Sequence, residues 1–279
     1  MDGTPYARDA VVLAALLGEA TGAELMLIAV VEEPLVLLPS PNEGTWKTIQ
    51  KQARTLLEET RAALAPNARI VVQTGTLVWR TLENVARRQH RDLLVIGSGR
   101  RGPDGQVHLG QDARALLGEL ECALAVAPRG MREVREPRLE RIGVGFDGNP
   151  EAHAALELAA AITKAADAEL KVVGVVDDRV TGGLRTEQIV LDGEAIVSRQ
   201  EDALLERALV AAEATGVPAR VQISPGDPAE ELQSLAADVD LLVIGSSRSG
   251  PSGRPSLGRT GNALANGSPA PLLITPKPG

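Results

Sequence analysis

The chain has 279 residues, of which 44% are hydrophobic and 24% charged, and its net charge is −8. This length suits one large domain or two of about 100 to 150 residues each. An acidic chain with four aromatic residues lacks the basic and stacking groups that a nucleic-acid surface needs. The single cysteine excludes an intrachain disulfide, and neither a leader sequence nor a membrane-spanning apolar run is apparent. We therefore expect a soluble cytoplasmic protein without nucleic-acid or membrane partners.

The chain contains an internal repeat. Residues 92–110 (DLLVIGSGRRGPDGQVHLG) align without gaps to residues 240–258 (DLLVIGSSRSGPSGRPSLG), with 13 of 19 positions identical. Repeats of this kind indicate a duplicated structural unit. The rest of each half follows the same order of patterns, so we expect two domains of one fold.

Hydrophobic periodicity predicts alternating helices and strands in both halves. Thr4 and Asn149 are suited to cap the first helix of each half, and a proline follows each of them. In the first half the predicted elements are a helix over 5–21, a strand over 24–31, a helix over 45–65, and strands over 68–74, 93–97 and 122–128. In the second half they are a strand over 140–146, a helix over 150–166, a strand over 169–176, a helix over 194–215, and strands over 219–224, 240–245 and 271–275. Such alternation is typical of an α/β fold with a doubly wound parallel sheet.

Residues 129–140 (RGMREVREPRLE) are charged, contain Pro137 and lack apolar periodicity, as linkers do. We therefore assign residues 1–130 to the first domain, 131–139 to a linker and 140–279 to the second domain.

A glycine-rich loop follows a buried strand in each copy of the repeat. Glycines at the end of such a strand let backbone amides approach a ligand, and the helix that follows suits a phosphate. Between Gly245 and Thr260 there are three arginines (Arg248, Arg254 and Arg259) and no acidic residue, although residues 136–279 as a whole carry 13 basic and 21 acidic residues. The simpler alternative is a plain turn between strand and helix.

Several other kinds of site are not predicted. There is no GxxxxGK[ST] motif and no GxGxxG after the first strand. The three histidines are scattered, and no metal-ligand cluster or pair of nucleophile and base is apparent. We expect no metal and no catalysis beyond slow ATP hydrolysis.

The order strand, Asp-Gly-[Thr/Asn], helix, strand, followed later by VIGS-x-R-x-GP-x-G-x-x-x-LG, resembles the universal stress protein family, here as a tandem pair over nearly the full length. The resemblance implies a five-stranded parallel sheet in the order 3-2-1-4-5 in each half. It also implies ATP binding through an aspartate after the first strand and a G-x2-G-x9-G-[S/T] loop after the fourth. Pairing of the halves through their last strands, as a built-in dimer, and association between chains are further implications.

The family pattern matches this chain only in part. Its aspartate corresponds to Asp147 and Asp2, and its outer glycines, 13 positions apart, to Gly245 and Gly258 and to Gly97 and Gly110. The middle glycine is replaced by Arg248 and Arg100, and the closing Ser/Thr by Arg259 and Gln111. Either the arginine strains a backbone that requires a positive φ, or it reaches the phosphate itself.

The leading hypothesis is a stress-response regulator that binds an adenine nucleotide, ATP in the first place, mainly in the second half. The second half is favoured because Asp112 near the start of the first-half helix would repel an anion. The candidate residues there are Asp147, Val175, Val176, Gly245, Ser246, Arg248, Gly250, Gly253, Gly258, Arg259 and Thr260. The weaker first-half set is Asp2, Gly97, Ser98, Arg100 and Gly110. The alternative is a tandem interaction module that binds no nucleotide.

Asp2 stands where Asp147 stands, but no apolar segment like Arg141–Phe146 precedes it. We therefore expect the first domain to lack its central strand in this sequence, with about six to ten mostly apolar residues missing upstream of Met1. A real start at Met1 would leave the first half less stable. Its second and fourth strands would then be drawn together, or the gap would be filled from elsewhere.

Overall fold

The computed structural model describes residues 3–33, 43–177 and 187–279. Strands and helices alternate along these ranges, as predicted. The first half contains α1 (Pro5–Thr21), β1 (Met26–Glu32), α2 (Glu43–Leu64), β2 (Arg69–Gly75), α3 (Val78–Arg88), β3 (Leu93–Gly97), α4 (Gln111–Leu116) and β4 (Ala123–Ala127). The second half contains β5 (Arg141–Gly145), α5 (Pro150–Ala166), β6 (Glu169–Val176), α6 (Glu187–Ala214), β7 (Ala219–Pro225), α7 (Pro228–Ala237), β8 (Leu241–Ile244), α8 (Arg259–Leu264) and β9 (Leu272–Ile274).

The nine strands within the described ranges form two sheets. A seven-stranded sheet has the order β3-β4-β9-β8-β5-β6-β7, and β1 and β2 form a separate parallel pair. The part of the large sheet that belongs to the second half is parallel throughout, with the order β9-β8-β5-β6-β7. The strands of the two halves meet where β4 pairs antiparallel with β9. The predicted α/β class with mainly parallel strands is therefore confirmed.

Two identical sequences occupy different environments in this sheet. Leu241–Ile244 are buried because β8 lies between β5 and β9, whereas the same four residues at 93–96 are only half-buried in β3. Within the described residues β3 pairs with β4 alone and no strand lies between β3 and β1. The position of the strand in the sheet, not its sequence, sets its burial.

Aliphatic residues fill a core on each face of the large sheet. In β8, Leu241 and Val243 pack with α5 and α6, whereas Leu242 and Ile244 face α7 and α8. A strand that is covered on both faces has a continuous run of apolar residues, which explains the sequence LLVIG at 241–245. A smaller cluster around Leu57 joins α1 and α2 to β1 and β2. None of the helices in the described ranges has the length and apolar content needed to cross a membrane.

Capping differs between the first helices of the two halves. Thr4 caps α1 by accepting a hydrogen bond from the Ala7 amide at 3.3 Å, as predicted. Asn149 occupies the capping position of α5, but its side chain makes no capping bond and donates instead to Asp147 at 2.6 Å. The prediction for Asn149 was therefore right in position and wrong in the bond, because the side chain directs its amide group to the Asp147 carboxylate and its oxygen accepts no hydrogen bond from the first turn of α5.

The segment predicted to be a linker is held by a buried carboxylate. It contains one 3-10 turn, Met131–Glu133. The carboxylate is that of Asp9 in α1, which has no exposed surface. Asp9 accepts hydrogen bonds from the amides of Gly130 (3.1 Å) and Arg132 (2.9 Å) and pairs with the Arg132 guanidinium at 3.1 Å. The start of the linker is therefore fixed to the first half.

Burial makes the single cysteine a poor nucleophile. Desolvation raises the pKa of Cys122 to about 12, with a further contribution from Asp92. Because only the thiolate reacts, we expect native protein at pH 8 to react with a thiol-specific disulfide reagent at least about ten times more slowly than urea-unfolded protein. A native rate equal to the unfolded rate would show that Cys122 is accessible.

Candidate functional site

The carboxyl ends of β5, β6 and β8 meet at one edge of the large sheet, because these strands are parallel neighbours. Asp147 follows β5, Val176 ends β6, and Gly245 follows β8. The structure therefore brings three predicted parts of the second-half site together. Ligands of open α/β sheets bind at this edge.

Asp147 is exposed in a tight turn between β5 and α5. Its carboxylate accepts hydrogen bonds from the Asn149 amide at 3.1 Å and from the Asn149 side chain at 2.6 Å. Gly148 between them has φ +77°, and a side chain there would meet the Arg207 guanidinium at 2.6 Å. Arg207 of α6, which the sequence did not single out, therefore lies against this turn.

The two valines have different surroundings. Val175 is half-buried and Val176 is buried. The Val176 carbonyl accepts a hydrogen bond from the Gly226 amide at 3.0 Å, which joins the end of β6 to the corner after β7. The main chain at the predicted base position is therefore hydrogen-bonded to the corner after β7.

The first glycine of the motif is required by helix packing. A Cβ at Gly245 would lie 2.5 Å from the Glu151 carbonyl oxygen, and one at Gly97 would overlap the Tyr6 carbonyl. Both contacts are with main chain in the first turn of the helix that crosses the strand. Helix packing therefore requires glycine at both positions, whether or not a ligand binds.

Ser246 and Ser98 hold the loop in shape. The Ser246 hydroxyl donates to the Thr275 carbonyl at 2.5 Å and accepts from the Ser256 amide at 2.9 Å. Ser98 repeats this arrangement with the Ala127 carbonyl at 2.7 Å and the His108 amide at 3.0 Å. Both hydroxyls therefore tie the start of the loop to its far side and to the last strand.

The arginines at the middle-glycine position carry no backbone strain. The described non-glycine residues with positive φ are His90, Glu136 and Asp167, so Arg100 and Arg248 have ordinary backbones. Both side chains are exposed at the loop surface. The interpretation that arginine strains this position is therefore wrong, because the loop does not turn through positive φ here.

Each loop is fastened by a basic residue that sequence reasoning missed. Lys277 donates to the carbonyls of Arg248 (2.5 Å) and Gly250 (3.3 Å), and Arg129 donates to those of Arg100 (2.6 Å) and Gly102 (2.5 Å). Arg129 also pairs with Asp104 at 2.9 Å. A sequence signal for these two residues exists, because Ala-Pro-Arg and Thr-Pro-Lys occur at matching places at the end of the last strand of each half.

The rest of the second-half loop consists of turns and a short helix. Gly253 has φ +73° and donates to the Lys277 carbonyl at 2.7 Å, and a side chain at Gly250 would overlap the Ser256 hydroxyl. Gly258 caps α8 with an ordinary φ of −85°. Arg259 is exposed and Thr260 is half-buried at the start of that helix. Two of the predicted phosphate ligands, Arg259 and Thr260, therefore lie where the loop enters α8.

The first half offers a less complete set of groups. Asp2 lies outside the described residues, and Gly110 caps α4 with Asp112 in its first turn. Arg254 of the second-half loop reaches into the first half, where it donates to the Gly118 carbonyl at 2.8 Å. Throughout the described ranges there is no group of three or more His, Cys, Asp or Glu arranged to hold a metal ion.

Comparisons with known proteins place both halves in one family. A model described as the universal stress protein family matches residues 1–128 and 138–276. No curated protein sequence is significantly similar to the chain.

Two solved structures that cover nearly the whole chain agree with this placement at the level of the fold. A universal stress protein from Archaeoglobus fulgidus is 19% identical, with 99% of this chain and 97% of that chain covered and a TM-score of 0.67. A Pseudomonas aeruginosa PAO1 protein of unknown function is 18% identical, with 95% and 86% covered and a TM-score of 0.63. A universal stress protein solved in complex with cAMP is 26% identical over 49% of this chain and 97% of that one, with a TM-score of 0.37.

Proposed function

Because this chain belongs to the universal stress protein family, we propose that it is a stress-response regulator that binds an adenine nucleotide, ATP in the first place, in its second half. The observation that carries the proposal is the meeting of three predicted segments at one sheet edge: the Asp147 turn, the end of β6, and the loop from Gly245 to Thr260. In this arrangement Asp147 contacts the ribose or adenine, the main chain near Val175 and Val176 meets the base, and the loop holds the phosphates.

The distribution of charge supports the second half over the first. The loop from Gly245 to Thr260 carries three arginines and no acidic residue. The first-half helix begins with Gln111 and Asp112, and a carboxylate near a helix start competes with a bound anion. An anionic nucleotide is therefore attracted to the second-half loop.

The proposal is tested by equilibrium dialysis of the full chain against ATP. We expect saturable binding, weakened about ten-fold by Asp147→Ala because a charge-assisted hydrogen bond is lost. Asp238→Ala is the matched control, since Asp238 is exposed at the end of α7, on the opposite edge of the sheet. Absence of saturable binding at millimolar ATP, with the protein folded, would contradict the proposal.

A second candidate function is a tandem module for protein interaction that binds no nucleotide. The observation that favours it is that Gly245, Ser246 and Lys277 all have structural partners within the protein. Native mass spectrometry of the purified chain separates the two candidates. Co-purified nucleotide supports the first, and a nucleotide-free chain bound reproducibly to one partner protein supports the second.

A further inference from the structure

An ion pair joins two helix starts at the carboxyl edge of the second half. Arg259, the first residue of α8, lies with its Nη2 3.5 Å from Oδ2 of Asp227. Asp227 caps α7, where it accepts a hydrogen bond from the Ala229 amide at 2.7 Å. The Arg259 side chain is 77% exposed and the Asp227 side chain 23%. The guanidinium is thus held at the surface by a carboxylate that is mostly covered.

This pair lies between the two ends of the proposed nucleotide site. Asp227 follows Gly226, whose amide donates to the Val176 carbonyl at the proposed base position. Arg259 follows Gly258 at the end of the proposed phosphate loop. The ion pair therefore connects the corner beside β6 with the loop after β8.

The first half has neither member of the pair. Gln111 stands where Arg259 stands in the repeat, and Thr76 and Leu77 follow the glycine that ends β2. Both charges are thus confined to the half with the basic loop. A pair needed only to join neighbouring helices would be equally useful in both halves, because α3 and α4 are also in contact.

The other arginine near the end of the loop is held elsewhere. Arg254 donates to the Gly118 carbonyl at 2.8 Å and lies 3.5 Å from the Glu119 carboxylate, both in the first half. Arg259 is paired within its own half and beside the proposed site.

An exposed ion pair is weak, so the guanidinium easily exchanges its carboxylate partner for a better anion. A phosphate group, with more charge and a geometry that matches the guanidinium fork, is such an anion.

We propose that Arg259 is the side chain that recognises the terminal phosphates in the second half, and that Asp227 holds it until an anionic ligand displaces the carboxylate. This inference rests on the proposed nucleotide site, and it gives the candidate ligand Arg259 a specific role, the preference for polyphosphate, and a competing partner, Asp227. The contact with Arg259 makes a charged nucleotide bind more tightly than the uncharged nucleoside, and competition from Asp227 reduces that gain. It also gives a function to Arg259 as the residue that replaces the family's closing Ser/Thr.

The test compares ATP with adenosine on the full chain by isothermal titration calorimetry. Asp227→Asn keeps the helix cap, because Asn is as good a cap as Asp, and removes the competing charge. We expect it to tighten ATP binding about two- to five-fold, the range for an exposed pair, and to leave adenosine binding unchanged. Arg259→Gln, which reproduces the first-half residue, should weaken ATP binding about ten-fold and leave adenosine binding unchanged.

The double variant and a matched control complete the test. In the Arg259→Gln background, Asp227→Asn should no longer tighten ATP binding, because the side chain that it frees is gone. Arg220→Gln is the control, since the Arg220 side chain is also 77% exposed and pairs with Glu169 at the other edge of the sheet. It should leave the ratio of ATP to adenosine affinity unchanged.

The outcomes separate this inference from the function on which it rests. No saturable ATP binding by the unchanged chain overturns the proposed function and the inference with it. Binding by the unchanged chain, with the same ratio of ATP to adenosine affinity in both Arg259→Gln and Asp227→Asn, overturns the inference and leaves the nucleotide site standing. Circular dichroism melting curves establish that each variant is folded.

Discussion

Replacing Asp9 by alanine is expected to lower the free energy of unfolding by about 3 kcal/mol. The Asp9 carboxylate has no exposed surface, and it satisfies the amides of Gly130 and Arg132 as well as the Arg132 guanidinium. Alanine would leave two amides without their acceptor, and the partly covered Arg132 guanidinium would keep only its pair with the exposed Glu133. A buried group that loses its partner costs more than an exposed one, because water cannot replace the lost bond.

Urea unfolding, followed by fluorescence and circular dichroism, measures this effect. Both tryptophans, Trp46 and Trp79, belong to the first half, so fluorescence reports the half that Asp9 anchors. Asp104→Ala is the control, because it also removes an aspartate paired with an arginine, but its side chain is 84% exposed. We expect the control to cost less than about 1 kcal/mol. Equal costs for the two variants would show that the bonds of Asp9 to the linker do not stabilise the fold.

Gly245→Ala is expected to destabilise the second half by about 3 kcal/mol, because the new methyl group would press on main chain. The Cβ would lie 2.5 Å from the Glu151 carbonyl oxygen and 3.1 Å from the Ala152 amide nitrogen. Neither atom can rotate away as the end of a side chain does, so α5 must shift from the sheet. That shift would also move the Asp147 turn, and we expect ATP binding to be lost with the packing.

Gly258→Ala is the matched substitution at the other end of the motif. Its Cβ would meet the Ser247 side chain at an ordinary 3.5 Å, and its φ of −85° is open to any residue. The expected cost is about 1 kcal/mol or less, chiefly from a poorer helix cap. Thermal unfolding followed by circular dichroism compares the two variants. If both cost the same, close packing does not explain the first glycine.

The same pair of variants bears on the nucleotide. Weaker ATP binding by folded Gly258→Ala would indicate that the ligand approaches the main chain at this glycine, where a methyl group obstructs it. Unchanged binding would leave Gly258 with its role as a helix cap. This comparison separates a glycine needed for the fold from a glycine needed for the ligand, which the motif alone does not do.

Most of the secondary structure could be predicted from local pattern. The predicted helices 5–21 and 150–166 match Pro5–Thr21 and Pro150–Ala166, because a capping residue and proline mark their starts and Gly22 or Asp167 follows their ends. The long second helix begins at Glu187 and not at 194. Its first residues show no clear apolar period, so the pattern did not indicate this start.

The candidate site could be predicted as a set of segments but not as a set of contacts. The repeat located the loop after Gly245, and the family pattern located Asp147. Neither could indicate that the Ser246 hydroxyl is hydrogen-bonded to the main chain of the loop and of the last strand. Nor could they indicate that Lys277 donates to the main chain of the loop, or that Arg259 pairs with Asp227. These partners come from elements far apart in the chain, and only the fold sets their distances.

What the sequence by itself determined is the duplicated α/β order, the glycine loop and the family, because each depends on neighbours along the chain. What only the tertiary structure decided is the environment of each copy. The segment LLVI is buried at 241–244 and half-buried at 93–96, although its residues are the same. In the second half, strands on both sides cover it, whereas in the first half it pairs with β4 alone among the described strands. Burial and partner choice depend on neighbours in space, which an isolated segment of sequence does not specify.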